Sequence, residues 1–334
     1  MLTLSNLGSD ERAARVVLST TARPNDPATG QLLNHVGAVE TLRLTDTDGP
    51  VPGMDRIAAS IWRDHIRAVA RPDEVAARLA QAERGQFSIL IPGDADWPMP
   101  VDDLGDRAPY ALWTRGHAEL LARPAADRVT LTGARASTGY GDHVTLDLAG
   151  DLASSGRVIV SGGAYGIEGS AHKAALAVGG STIAVLASGL DRLYPVGHAD
   201  LLERIGNEGL LLSEAPPGTA PTRQRFLDRA RIVAALSAAS VIVEAGARSG
   251  SMRVAEEARR LGRGVGAVPG PVTSAASVGP HLLLQDHGAQ VITNSDDVVR
   301  LLDRDRGVDH DARLSQPSPE YQLTRGTETP TRRL

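Results

Sequence analysis

The stretch Val158-Ile-Val-Ser-Gly-Gly-Ala-Tyr-Gly166, with Ile167-Glu-Gly-Ser-Ala-His172 after it, decides how this chain folds. Residues 158–161 are a brief β-branched run without polar alternation, the pattern of a strand buried on both faces. Residues 161–166 are small and rich in glycine, which makes a tight turn, and residues 168–178 have an amphipathic helical pattern. The same strand–turn–helix unit recurs on both sides. Strands are expected at 129–132, 182–186, 210–212, 241–244 and 264–268, with helices such as 140–154 and 251–261 between them. Alternation with connections this short implies parallel pairing, each strand being reached by a helical crossover. The expected fold class is α/β: a doubly wound, mostly parallel sheet.

Further out the pattern changes. Toward the N-terminus the chain reads as short helices: one over 10–21 capped by Ser9, a turn punctuated by Pro24, Pro27 and Gly30, and a loop over 44–53. A further helix is expected over 54–70, with Ile57, Ile61 and Ile66 at mostly helical spacing, and another begins at Pro72 with Asp73 and Glu74 in its first turn. A short apolar run, 87–91, leads through a Pro- and Asp-rich connection to Tyr110-Ala-Leu-Trp113. Beyond 268, a helix and short strand over 282–292 close the sheet domain. After Asp303 the chain turns polar, with Pro317, Pro319 and Pro330, and a disordered tail is expected. The expected division is therefore a small helical domain (1–85), a large α/β domain (86–302) and a tail (303–334).

Composition narrows the function classes. The 334 residues carry 35 basic and 40 acidic side chains, a net charge of −5, so a protein coated in nucleic acid is disfavoured while a local basic groove is not. Only Lys173 is a lysine among the basic residues, a bias that codon usage explains. With no cysteine there are no disulfides or thiolate metal sites, and the nine histidines show no metal-ligand spacing. No run approaches the roughly 20 apolar residues of a membrane span. Residues 1–15 have mixed charge and no apolar core, so no signal peptide is expected. These readings point to a soluble, cytoplasmic protein.

In an open α/β sheet ligands bind at the carboxyl ends of the strands. Four loops there are small and rich in glycine or hydroxyls: Gly133-Ala-Arg135-Ala-Ser137-Thr138, Ser161-Gly162-Gly163-Ala-Tyr-Gly166, Ala187-Ser188-Gly189, and Ala245-Gly-Ala-Arg248-Ser249-Gly250-Ser251. Small residues let the backbone approach a ligand, and free N–H groups at a helix start favour an anion. One such loop is as readily plain turn chemistry; four in one sheet favour a phosphate-bearing ligand. None is a strict dinucleotide or P-loop motif, so neither a nicotinamide-type cofactor nor an NTPase follows, and no cofactor is expected. Arg223-Gln-Arg225-Phe226-Leu-Asp-Arg229-Ala-Arg231 sets four arginines about one aromatic. Guanidinium forks suit phosphates and an aromatic suits a stacked base, although such a run alone is more often a solvated helix face. Lys173 and His172 lie on the helix after the second loop, where a surface or packing role is the plainer reading. Glu214 and Glu244 follow strands and could orient neighbours; Glu256 and Glu257 read as helix-surface charges.

At these residues the chain resembles the DprA/Smf family of DNA-processing proteins. The resemblance rests on Ile91-Pro-Gly-Asp94 through Trp97-Pro98, Gly133-Ala-Arg135-Ala-Ser-Thr138-Gly-Tyr-Gly141, Ser161 through His172, Gly189-Leu-Asp191 with Tyr194-Pro195, Ser213-Glu214 with Pro217-Gly218, Phe226 with Arg229 and Arg231, Ser249-Gly-Ser251, and Val268-Pro-Gly270. It implies a Rossmann-like domain behind a small SAM-like helical domain, and a non-catalytic protein that binds and protects single-stranded DNA. Such proteins load RecA recombinase in natural transformation and recombination and typically form homodimers. Carried over, Arg135, Gly189, Arg229 and Arg231 would hold phosphates, Ser249, Gly250 and Ser251 would form a second cradle, and Phe226 would contact a base. Ser161, Gly162, Gly163, Gly166 and Arg225 complete the expected set, with Lys173, Arg223 and Arg248 at its margin. Two departures stand out. The family's Arg-Asn-Arg triplet appears as Arg229-Ala230-Arg231, and the residues after Asp303 are too few and too polar for the winged helix that ends many members. The alternative is a nucleotide phosphoribohydrolase of the lysine-decarboxylase-like group, whose Pro-Gly-Gly-x-Gly-Thr block is missing here.

Overall fold

The structure, a computed structural model, describes residues 3–69, 72, 73, 75–77, 80, 87–286 and 288–304. Nine strands of these residues form one sheet: β1 (Ser88–Leu90), β2 (Leu112–Gly116), β3 (Arg128–Thr132), β4 (Val158–Gly162), β5 (Thr182–Leu186), β6 (Leu210–Ser213), β7 (Ala239–Ile242), β8 (Gly264–Ala267) and β9 (Gln290–Val291). Their order is β1-β2-β6-β5-β4-β3-β7-β8-β9. Pairing is parallel from β6 to β9, while β2 joins β6 antiparallel, Trp113 opposite Ser213, and β1 extends the edge antiparallel. The antiparallel edge falls on the short apolar runs at 87–91 and 110–113, which the sequence marks without assigning them to strands, because a three- or five-residue edge strand has too little length for a periodic signal.

Period-two alternation sorts the strand side chains onto two helical layers. Val129, Leu131 and Ile159 meet one layer, which includes Leu148, Leu152, Ile167 and Ala171. Those residues belong to helices α5 (Gly139–Ser154) and α6 (Ile167–Ala177). Val158, Val160, Ile183 and Val185 meet the opposite layer, which includes Ile232, Val233, Val254 and Leu283. That layer is built by α8 (Arg223–Ala235), α9 (Gly250–Arg260) and α10 (Val278–Asp286), while α7 (Ala199–Glu208) covers β5 and β6. A last helix, α11 (Ser295–Arg304), returns Val298, Leu301 and Leu302 to the first layer; the sequence reading stopped short of it. Helix α8 is the crossover. It leaves β6, passes behind β5 and β4, and delivers the chain to β7 on the far side of β3. Arg128, fully buried at the start of β3, donates to the carbonyls at the end of this helix and nearby (Leu236; Leu121 at 2.8 Å; Arg123 at 2.6 Å). Burial pushes its pKa down to about 10.

Ahead of the sheet the described residues form helices α1 (Leu4–Leu7), α2 (Glu11–Thr21), α3 (Pro27–Asp46) and α4 (Arg56–Val69). They gather their own apolar cluster around Leu18, Leu32, Leu42 and Trp62, joined to the sheet domain by Tyr110, whose hydroxyl donates to Arg23 O at 2.8 Å. Three expectations are corrected here. Asp10, not Ser9, caps α2, its carboxylate accepting from Ala13 N–H at 2.8 Å. Pro27 does not punctuate a turn but opens α3, the residue type being pre-set for a first helical position behind the Asp26 cap. That helix then runs through Gly30 and into the expected 44–53 loop as far as Asp46, with non-helical backbone at Gly37. Pro72 and Asp73 are helical, whereas Glu74, the boundary at 85 and the tail from 305 lie outside the described residues.

Candidate functional site

The chain winds from β3 to β6 in one direction and from β7 to β9 in the other, so the strand order reverses between β3 and β7. Loops on either side of such a switch point part and leave a crevice. Here the crevice is a groove of about 910 Å³, walled by the loops after β3, β4 and β7 and by the first turns of α8 and α9.

Phe226 stands in the first turn of α8, which Thr222 caps by accepting from Arg225 N–H at 3.2 Å. The Arg135 guanidinium lies 4.7 Å from the Phe226 ring centre and that of Arg229 lies 5.3 Å away. Tyr194 is inclined at 60° to the same ring, 6.0 Å between centres. Arg229 is clamped from behind: its Nη1 donates to Val185 O at 3.0 Å and its Nη2 approaches both oxygens of Glu168, at 3.3 and 3.4 Å. Glu168 also accepts from Ala164 N–H at 2.9 Å and Thr132 Oγ1 at 3.0 Å. Burial pushes this carboxyl's pKa up, but Arg229 and the two hydrogen bonds outweigh it and leave it below the ordinary range. It is a carboxylate at neutral pH.

The sequence-expected residues divide into three groups. Arg135, Arg223 and Arg248 line the groove, are exposed, and have no carboxylate partner among the described residues. With Phe226, Arg229 and Ser249-Gly250-Ser251 they are brought together. The Ser249 hydroxyl caps α9, 3.4 Å from Ser251 N and 2.8 Å from Ser251 Oγ. A second group supports the loops from below. Ser161 is fully buried and its hydroxyl donates to Leu131 O at 2.5 Å. A Cβ on Gly162 would lie 2.3 Å from Arg229 Nη1 and 2.4 Å from Glu168 Oε2, so this glycine makes room for the ion pair. Gly166, at φ +71°, brings the β4 loop against Ala134 O, where a Cβ would sit at 2.3 Å. Gly163 packs under Leu186, and Gly189 N–H donates to Thr219 O at 3.0 Å.

The third group lies apart from the groove. Arg231 is 1% exposed and bound to Glu214 through both terminal nitrogens, at 2.5 and 3.0 Å, with further donation to Arg107 O at 2.7 Å and Asp228 O at 2.8 Å. Two residues along a helix rotate the side chain by about 200°, so Arg229 and Arg231 face opposite ways. Arg225 is half-buried in a small neighbouring pocket with Pro24, Glu214 and Asp228; burial lowers its pKa against the pull of those carboxylates. Lys173 is exposed on α6 and does not line the groove. His172 is fully buried, with Nε2 2.9 Å from Gly162 O and Nδ1 2.7 Å from Thr182 Oγ1. Burial pushes its pKa down to about 4, so the ring is neutral and Nε2, facing a carbonyl that can only accept, carries the proton.

Sequence reasoning missed Tyr194 and Glu168 as members of the site. A carboxylate at the second position of a helix, directly behind a glycine-rich loop, was the available signal for Glu168. Glu257, expected on the surface, is 2% exposed and accepts from both terminal nitrogens of Arg107, at 2.9 and 3.2 Å. Glu244 accepts from Thr138 N–H at 2.8 Å and Thr138 Oγ1 at 2.6 Å, tying the β7 end to the start of α5. With Glu214 on Arg231 as well, these three carboxylates each hold a neighbouring element.

Fold and groove together define a Rossmann-like α/β protein with an arginine-rimmed, anion-attracting cleft at the switch point of its sheet. Residues 88–303 match the family described as DNA recombination-mediator protein A, and the chain belongs to that family. It is 45% identical over 268 residues to the putative DNA processing protein DprA of Mycobacterium tuberculosis, covering 76% of this chain and 68% of that one. It is 40% identical over 217 residues to DNA processing protein DprA of Streptococcus pneumoniae, covering 64% and 72%. The X-ray structure of the Streptococcus pneumoniae DNA processing protein A superposes with a TM-score of 0.70 at 28% identity, covering 89% of this chain and 97% of that one. A structure of the Helicobacter pylori protein, concerned with its single-stranded DNA binding mode, superposes with a TM-score of 0.59 at 34% identity over 66% of this chain and 97% of that one.

Proposed function

We propose that the groove binds single-stranded DNA with little sequence preference, and that the protein protects such strands in recombination and transformation without a catalytic step. The observation that carries this is the trio Arg135, Arg223 and Arg248, uncompensated by carboxylates among the described residues, around the one groove aromatic that two guanidiniums approach. Three free cations match a run of phosphates better than a single nucleotide, and a π face takes any base. The Helicobacter pylori relative, concerned with single-stranded DNA, supports the same reading. The hydrolase alternative is not favoured, since Glu214, Glu244 and Glu257 are engaged in structural bonds. No helix of the described residues is long and apolar enough to cross a membrane. Hand-over to RecA, a homodimeric state, a cytoplasmic location and the division at residues 85 and 302 belong to the same proposal.

The test is fluorescence anisotropy of a labelled oligo-dT across a salt series, with a duplex and a mononucleotide as competitors. Three phosphate contacts give a slope of log K against log salt of about −2 for a single strand. Binding that prefers the single strand with a slope at least that steep is expected. Efficient displacement by the mononucleotide would move the assignment to a nucleotide site.

A further inference from the structure

Beyond the arginine rim, the loops after β4 and β5 present two exposed aromatic rings. Tyr194 is 43% exposed, Tyr165 45%, and Val196, in the loop of Tyr194, 79%. The two loops are packed together: the Tyr165 hydroxyl accepts from Gly197 N–H at 3.2 Å, and a Cβ on Gly197 would sit 2.5 Å from that oxygen. The Tyr165 ring stands edge-on to buried His198, 4.6 Å between centres at 72°. It is therefore held from beneath with part of its surface left to solvent. Tyr194 meanwhile is a wall of the groove and neighbours Phe226. Arg192, exposed in the same loop, has no carboxylate partner among the described residues.

Exposed apolar surface with a polar rim marks a binding site, and a fixed π face beside a free guanidinium is the equipment that takes a base and its phosphate. We propose that Tyr194 and Tyr165 form a second stacking platform, which receives the bases that follow the one beside Phe226 on the same single strand, with Arg192 on the linking phosphate. The inference rests on the reading of the groove as a single-strand site. Continuity decides the occupant: Tyr194 belongs to groove and patch alike, so a strand leaving Phe226 toward β5 meets it next.

The experiment compares wild type, Tyr194→Ala, Tyr194→Leu and Tyr194→Trp by anisotropy on oligo-dT and on an abasic oligomer of equal length. Tyr194→Ala and Tyr194→Leu are expected to weaken oligo-dT binding about five-fold or more, with the salt slope unchanged, and Tyr194→Trp to restore it. On the abasic oligomer all four should bind alike. The leucine variant keeps apolar bulk, so its loss reports the missing π face rather than a damaged loop. Wild-type affinity of Tyr194→Leu for oligo-dT, or an equal loss on the abasic strand, would overturn the platform alone. A change of oligomeric state in Tyr194→Ala with unchanged affinity would assign the patch to a second copy and overturn it too. Failure of the wild type to bind oligo-dT would remove the groove reading along with it.

Discussion

Replacing Arg231 separates a structural arginine from a ligand-facing one. The guanidinium is 1% exposed and sits 2.5 Å from Glu214, itself largely enclosed. Arg231→Met fills similar volume but strands the Glu214 carboxylate and the Arg107 carbonyl, which Arg231 now satisfies. Breaking a buried pair from one side costs about 3–5 kcal/mol, because the remaining charge stays desolvated. In a domain of this size each kcal/mol moves Tm by roughly 2–4 °C, so a fall of roughly 6–20 °C is expected. Arg135→Ala should do the reverse. Its side chain is exposed and lies over Phe226 at the groove, with no carboxylate partner among the described residues, so Tm should hold while the salt slope for oligo-dT becomes shallower by about 0.7. The assay is thermal unfolding by circular dichroism, paired with anisotropy across a salt series on protein kept well below its Tm. If Arg231→Met melted like wild type and lost slope as Arg135→Ala does, the division of the arginines drawn from burial would be refuted.

Gly162→Ala places a methyl within about 2.4 Å of the Arg229–Glu168 pair, an overpacking worth about 1–3 kcal/mol, and should lower both Tm and oligo-dT affinity. Unchanged affinity in that variant would show that Arg229 is not held by this contact. His172 gives a pH signature. Its folded pKa of about 4 lies below the ordinary 6.5, so the unfolded chain binds the extra proton between those values and stability falls as pH drops through them. The loss is about 3 kcal/mol in all, and His172→Gln should flatten this stretch of a urea-midpoint profile; a profile unchanged by the substitution would count against a buried neutral ring.

Much of the parallel core was legible because strands buried on both faces are uninterrupted aliphatic runs, and residues 158–161 and 182–186 have no other plausible reading. The antiparallel edge was not, since β1 and β2 are short and pair across a long 3-10 segment, Met99–Arg107, that carries no period. In the site, exposed cations and the aromatic could be found from composition along one helix. Their division could not: Arg225, Arg229 and Arg231 look equivalent in sequence, and only helix phase against Glu168, Glu214 and Asp228 sets their fates. The glycine loops were similarly ambiguous. Gly162 and Gly166 serve loop-to-loop and ion-pair packing first, a requirement no local pattern announces.

Because α8 is the crossover, the groove has a temporal consequence. Arg135 and Tyr194 are made with the first half of the sheet, but Phe226 comes only with the return helix and Ser249–Ser251 only after β7. At about 5–20 residues per second, a nascent chain spends on the order of ten seconds with one wall of the groove built and the other missing. A ribosome-bound fragment ending at β6 therefore lacks Phe226 and the Ser249–Ser251 turn and has no groove to close.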